Sequence, residues 1–460
     1  MTDAIPKSLQ YGCQNSQARV VRQTIQPQGV STGTTQQQTT FRFKLPEKSL
    51  IDLKSLSFYY DYVLSGLTDA DTNFSNALLP AAYKHFSSVK FYVSGAVAAN
   101  GMCNHYDMAY HALVRASGSE DWVNSRWNNG HAEVMVGGDI NAALCSLVTR
   151  PTTSANGYDA GYVSRSAHFT YDDLLGLPNS KNFVLDTSLF GTCEVELQMS
   201  PNTSIKATRA GSVTAANLGA SLLGTISGIN AKIDTVVSVS PLYVSLLAER
   251  LQVDTPIRLP FQSIATSVVS NSSNNRLTLN SACVDAIVVC PMAADPNTFP
   301  DLAAAGSDAV LNAKRYKFDS GRTPANASGA TFQIQVGSEV FPRQPLRIDE
   351  CADLTVNSIY GNSAQSRNLL FAGLAANVQA YSRAAYLTEN CVIIQKFMLG
   401  EEGWASGLLS GINCSGVSTD FVVSTSGLTA ASAGGTLFLA ALMTSQLVFN
   451  PATSSVSIEQ

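Results

Sequence analysis

The sequence predicts a mainly β chain folded as two copies of one sandwich. Three observations predict it: short aromatic and β-branched runs bounded by turn-forming clusters, a scarcity of helical patterns, and segments that recur at a near-constant spacing. The 460 residues suit two or three domains of ordinary size. They are 45% hydrophobic but only 14% charged, against about 25% charged in ordinary soluble domains. Such a surface belongs either to a secreted β-rich protein or to one whose flanks are covered by neighbours, since charged residues are depleted where interfaces bury surface. The net charge of −5 excludes a protein whose whole surface binds nucleic acid, while leaving room for a local basic arm.

In chain order, a polar, Gln-rich lead comes first, and residues 1–37 read as a flexible N-terminal arm. Asp3, Lys7, Arg19 and Arg22 give it a net +2. Such an arm can hold a neighbour, a nucleic acid or a membrane face, or remain an ordinary solvated leader. Order begins at Thr39, where Phe41, Phe43 and Leu45 alternate with Arg42 and Lys44 before Pro46 ends the run. Leu50–Leu64 is a second, aromatic-rich run. Further strands are expected at Val89–Val97, Phe183–Leu185, Glu194–Met199, Val236–Leu247, Arg276–Leu279 and Val284–Val289. The pattern continues at Phe332–Val336, Val392–Met398, Phe421–Val423 and Gly435–Phe449. Helices are expected at Asn104–Arg115 and Asp349–Tyr360, opening on Asn or Asp caps, with a third at Ala376–Leu387. Ala210–Ala231 reads as a small-residue loop or short helix, too polar and broken to span a membrane.

Four pairs of segments recur. Phe41–Leu45 matches Arg276–Leu279, and the strand ending at Gly95 matches the one ending at Gly337. The helices opening at Asn104 and Asp349 form a third pair, and Phe183–Ser188 with Phe421–Ser426 a fourth. The spacings all lie between 235 and 245 residues, which points to duplication. A jelly roll, eight strands in two sheets, fits each half. The expected division is a first jelly roll over 38–255 and a second over 256–460, with short helices in loops.

Four segments carry a family resemblance: Thr39–Pro46 with Leu50–Leu56, Phe190–Pro201, Ser240–Arg250 and Val336–Pro345. With them the chain resembles the double jelly-roll major capsid proteins of icosahedral DNA viruses, the family of adenovirus hexon, virophages, Polinton-like viruses and tailless phages. The resemblance implies a structural protein of the virion capsid, working as a homotrimeric, pseudo-hexagonal capsomer. It implies neighbouring capsomers, penton proteins and minor or cementing proteins as partners, with an internal membrane or genome reached by the arm. It also makes the loops Gly118–Ser164 and Pro291–Ser328 outward towers.

The residues themselves argue against catalysis and against a cofactor or metal. The histidines are His85, His105, His111, His131 and His168; His105 and His111 sit at i, i+6, off a common helix face, and no H-E-x-x-H occurs. Asp107 and His111, at i, i+4, read as a surface contact. The adjacent acids Glu120–Asp121, Asp172–Asp173, Asp349–Glu350 and Glu401–Glu402 read as solvated. No nucleophile elbow, phosphate loop or dinucleotide fingerprint is present. Nine cysteines without a C-x-x-C pair read as buried free thiols, and Met1–Gln10 lacks the apolar core of a secretory signal. The rival reading is a two-module jelly-roll protein that binds or processes carbohydrate, with Trp122 and Trp127 as stacking aromatics.

Overall fold

The computed structural model describes residues 19–65, 76–78, 82–118, 147–149, 163–170, 184–204, 206–208, 223–236, 245, 247–249, 252, 256–281, 283–292, 295–296, 310–311, 314–357, 368–375, 378–398, 411–414, 419–428 and 435–459. The first half contributes β1 (Val20–Ile25), β2 (Gly33–Thr34), β3 (Thr40–Lys44), β4 (Leu50–Ser65), β5 (Asn76–Leu78), β6 (Phe86–Val93) and β7 (Ala96–Ala99). Helix α1 (Tyr106–Ser117) follows, then β8 (Leu147–Thr149), β9 (Val163–Thr170), β10 (Val184–Asp186) and the single turn α2 (Thr187–Phe190). The half closes with β11 (Cys193–Met199), β12 (Lys206–Thr208) and β13 (Leu223–Val236).

The second half opens with β14 (Ile257–Ser270), β15 (Asn274–Leu279), β16 (Val284–Met292), β17 (Val310–Leu311), β18 (Thr331–Val336) and β19 (Glu339–Arg347). It continues through α3 (Cys351–Val356), β20 (Ala372–Ala375), β21 (Val378–Tyr381), α4 (Arg383–Glu389) and β22 (Ile393–Lys396). It ends with β23 (Thr419–Ser424), β24 (Thr436–Asn450) and β25 (Ser455–Glu459).

Two sheets form from each half. In the first, β1-β13-β4-β10 faces β3-β11-β6-β7; in the second, β14-β24-β16-β22 faces β15-β23-β18-β19. The weave is the same both times: the first, third, sixth and eighth strands make one sheet and the second, seventh, fourth and fifth make the other. All these neighbours are antiparallel. This is a double jelly roll. A small sheet, β17-β12-β5-β8, joins a strand of the second half to three of the first.

Alternation builds the sandwiches. Phe41, Phe43 and Leu45 point into the core while Arg42 and Lys44 point out. The ring of Phe43 lies 5.1 Å from that of Phe58 on the facing sheet. Cys193, Val195, Leu197 and Met199 fill the same layer from β11. The second and seventh strands are also bridged outside by an ion pair in each roll, Arg42–Glu196 at 2.9 Å and Arg276–Asp420 at 3.6 Å.

Three of the four recurrences fall on equivalent elements. Phe41–Leu45 and Arg276–Leu279 are both second strands, and both fifth strands lead into a helix. Gly95 and Gly337 turn the fourth strand into the fifth at φ +79° and +59°, a left-handed conformation that costs glycine little. The fourth pair fails. Val184–Asp186 is a sixth strand and Thr419–Ser424 a seventh, so the likeness of Phe183–Ser188 to Phe421–Ser426 reflects a shared strand-to-turn composition.

Other expectations need correction. The leader through residue 37 is not wholly separate: Val20–Ile25 and Gly33–Thr34 pair with β13. As an edge strand, β1 packs chiefly Ile25 against the core, so it shows no alternation to read. Residues 1–18 lie outside the described residues. Of Ala210–Ala231, residues 223–231 are strand, with Ile226, Ile229 and Ala231 inward; Gly224 is there because a Cβ would strike the Tyr62 hydroxyl. Val236 ends β13, residues 237–244 lie outside the described residues, and Leu247 is helical, so Val236–Leu247 is not one strand. Val89–Val97 is two strands folded at Ser94–Gly95. From the third expected helix, Val378–Tyr381 is strand, and α4 starts after the Ser382 cap, whose hydroxyl accepts from Ala385 N at 3.1 Å. The residues before α1 and α3 are His105 and Glu350, and neither side chain caps its helix.

Candidate functional site: the junction between the rolls

The two rolls meet where the end of the first roll's fifth strand lies against the first strand of the second. Thr266 donates its N–H to Met102 O at 3.1 Å, and its hydroxyl accepts from Asn104 N at 3.2 Å. Phe190 of the first roll packs edge-on against Phe449 of the second, their ring centroids 6.0 Å apart.

Helix α1 forms the centre of this junction. Ten of its twelve residues are buried, including Asp107 and His111. Asp107 receives Arg315 from the second half: Nη2 donates to Oδ1 at 2.7 Å, and Nε donates to Oδ2. The Tyr316 hydroxyl donates to the same Oδ2 at 2.8 Å, and Arg315 Nη2 lies 3.3 Å from His105 Nδ1. Both partners of the ion pair are at most 1% exposed. Lys84 Nζ sits 4.6 Å from the centre of the Tyr316 ring. Burial pulls at the Arg315 guanidinium, yet the charge and hydrogen bonds of Asp107 hold its pKa above the ordinary value. Burial, then the negative charge of Asp107, pushes the Tyr316 phenol well up. Burial and the neighbouring Arg315 lower His105. The arrangement is a desolvated, two-hydrogen-bond clamp between segments 208 residues apart.

Asp107 and His111 therefore do not form a surface contact. Asp107 is committed to Arg315 and Tyr316, while His111 Nδ1 bonds the Tyr83 hydroxyl at 2.7 Å. His85 Nδ1 bonds Tyr60 at 2.8 Å and stacks on Tyr62. Asp349 is not solvated either: its carboxylate is fully buried beneath Arg347, at 2.9 Å, and Arg383. Trp122, Trp127, His131 and the acidic pairs at 120–121, 172–173 and 401–402 lie outside the described residues, as does the side chain of His168. Arg315 and Tyr316 carried no sequence signal, because their partner is remote in the chain.

Seven described cysteines are free and buried. Burial raises Cys103, Cys193 and Cys391 to about 12, and lifts Cys290 and Cys351 as well, so thiolate is scarce near neutrality. Among the described residues no group of three or more His, Cys, Asp or Glu is placed to hold a metal. No described helix is long and apolar enough to cross a membrane.

Fold and junction together define a protein of the double jelly-roll class. No family model matches the sequence, and no curated protein matches it. Solved structures do match. The PBCV-1 protein VP54, fitted into a reconstruction of the virophage Sputnik, is 9% identical at a TM-score of 0.58, with 97% of each chain covered. The Faustovirus major capsid protein is 10% identical at 0.54, covering 94% of this chain and 90% of its own. A chain of the Sputnik virophage is 11% identical at 0.55, covering 96% and 88%. This chain has the fold of viral major capsid proteins across nearly its whole length.

Proposed function

We propose that this chain is the major structural subunit of an icosahedral viral capsid, that three copies close into a pseudo-hexagonal capsomer, and that it acts by contact rather than catalysis. The observation that carries this reading is the same eight-strand weave built twice in one chain and clamped at a buried junction. Two similar rolls per chain give a trimer six similar wedges, matching a sixfold-like lattice position. In this reading the first roll ends by residue 255, the second runs over 256–460, and the residues before β1 face the capsid interior. Penton and minor proteins would contact the outer flanks, and the subunit would reside in the virion.

Mass in solution tests it. The purified chain should run at three times 48.8 kDa, roughly 146 kDa for a closed cyclic trimer. A stable monomer retained by a glycan column would overturn the capsomer in favour of the carbohydrate-binding reading.

A further inference from the structure

We propose that the junction between the rolls is built to open in acid, with His105 and His111 as the groups that take up the protons. The device lies within one chain and stands whether or not copies assemble.

Each histidine accepts a hydrogen bond from an arginine. Arg315 Nη2 lies 3.3 Å from His105 Nδ1, and Arg115 Nε donates to His111 Nε2 at 3.4 Å. A guanidinium has hydrogens to give and no lone pair to offer, so both of these ring nitrogens must be bare. His111 Nδ1 then carries the hydrogen that meets the Tyr83 hydroxyl at 2.7 Å. A proton taken up by either ring lands on the nitrogen that faces the arginine. It breaks that bond and sets two cations against each other in a desolvated site.

Both rings also touch the second half of the chain. His105 packs edge-on to Phe438, and the buried His111 ring lies 5.2 Å from that of Tyr316 and 5.7 Å from that of Phe318. His105 directly follows Asn104, whose N–H ties to the Thr266 hydroxyl across the junction. A change of charge at these two rings therefore acts on the strip that joins the rolls.

The surrounding charges offer little relief. Asp107 is already shared by Arg315 and Tyr316, and His85 is engaged with Tyr60. Of the described elements packed on α1, β6 brings Lys90, the turn Ala82–His85 brings Lys84, and the turn Lys314–Tyr316 brings Arg315 and Tyr316. Beyond that turn, Lys317 and Asp319 pair with each other at 3.4 Å. α3 brings Asp353, with Glu350 just before it, while the turn Leu369–Phe371 and β24 bring no charge. Asp107 and the exposed Asp295 favour a His105 cation, but burial and Arg315 outweigh them and hold its pKa below the ordinary value. A histidine lowered in this way contributes stability that is full above its unfolded pKa of about 6.5 and is lost as pH falls toward the lowered value.

Hydrogen exchange of the full chain, read by mass spectrometry from about pH 8 to about pH 5 and corrected for the intrinsic pH dependence of exchange, tests the device. The peptide holding the Thr266 amide, which bonds Met102 across the junction, should lose protection as pH falls below the ordinary histidine value. The peptide over β11, inside the first roll, should keep its protection. His105→Asn combined with His111→Gln leaves an oxygen acceptor for each arginine and no site for the extra proton. That double variant should hold Thr266 protected at the lowest pH. Opening of parent and double variant at the same pH overturns the proposal and assigns the effect to carboxylates; so does a parent whose Thr266 protection does not change. Exchange of the histidine ring C2 hydrogens in the unsubstituted chain reads the same claim without mutation. His105 and His111 should titrate at the midpoint of the opening, and titration away from that midpoint overturns it.

Discussion

The sheet β1-β13-β4-β10 and its counterpart β14-β24-β16-β22 share a weave but not an environment. In the first, β13 alternates between buried and partly exposed residues along most of its length, because one face meets the core and the other is left uncovered by the described residues. In the second, all nine residues of β16 are buried and most of β24 is as well. Its outer face is covered by the first roll, with the His105 ring 6.5 Å from Phe438, and by α3, whose Thr355 hydroxyl donates to Val392 O at 2.7 Å. Burial on both faces turns an alternating strand into a continuous apolar run, as in Ile287–Cys290 and Leu437–Met443. The difference teaches that one weave can be built once with both faces of a sheet covered and once with one face left open by the described residues.

The largest expected effect comes from the junction that separates these two environments. Asp107→Ala leaves Arg315 charged and buried without its partner, which costs about 3–5 kcal/mol. Denaturant melts should show that loss and split into two transitions as the rolls uncouple. A loss below about 1 kcal/mol would mean the clamp contributes no more than a surface pair.

Next in size is the sheet contrast itself. Ala440→Lys and Ala441→Lys point to opposite faces of β24, both buried, so each should cost several kcal/mol and lower the yield of soluble chain. Thr225→Lys, on the outward face of β13, should melt within about 0.5 kcal/mol of the parent. If one of the two β24 variants proved neutral, the second sheet would have an open face after all.

Much of this organisation was legible in the chain, and the exceptions have physical causes. Alternation exposed β3, β11 and β23, and the apolar runs exposed β16 and β24. Three of the strands that escaped, β1, β14 and β19, are edges; another, β13, is central, and its glycines and polar residues hid its apolar face. β14 carries Pro260, and β19 carries Pro342 and Pro345, residues that argue against a central strand but are tolerated where one side needs no hydrogen bond. β1 lacks a regular apolar face altogether. The junction was illegible for another reason: the Asp107–Arg315 pair follows from how the two rolls dock, and no local spacing encodes a partner two hundred residues away.

The smallest expected effect concerns a charge hidden only in the covered sheet. Asp285 is buried on β16, accepting from the Thr444 hydroxyl at 2.6 Å and the Cys283 thiol at 3.3 Å, with burial raising its pKa. A raised carboxyl pKa means the fold favours the protonated form. Its contribution is intact below the ordinary carboxylate pKa and is lost as pH climbs through the raised value. Asp285→Asn should therefore raise Tm at pH 7, with the gain fading as pH falls toward the usual carboxylate range. A gain that grew on acidification would reverse that sign.

The central claim is that the uncovered flanks of the two rolls are completed by further copies of the same chain. Electron microscopy of the purified protein tests it most directly. The account predicts three-fold particles with a pseudo-hexagonal outline built from six similar lobes. A field of single two-lobed particles, unchanged as concentration rises, would contradict it.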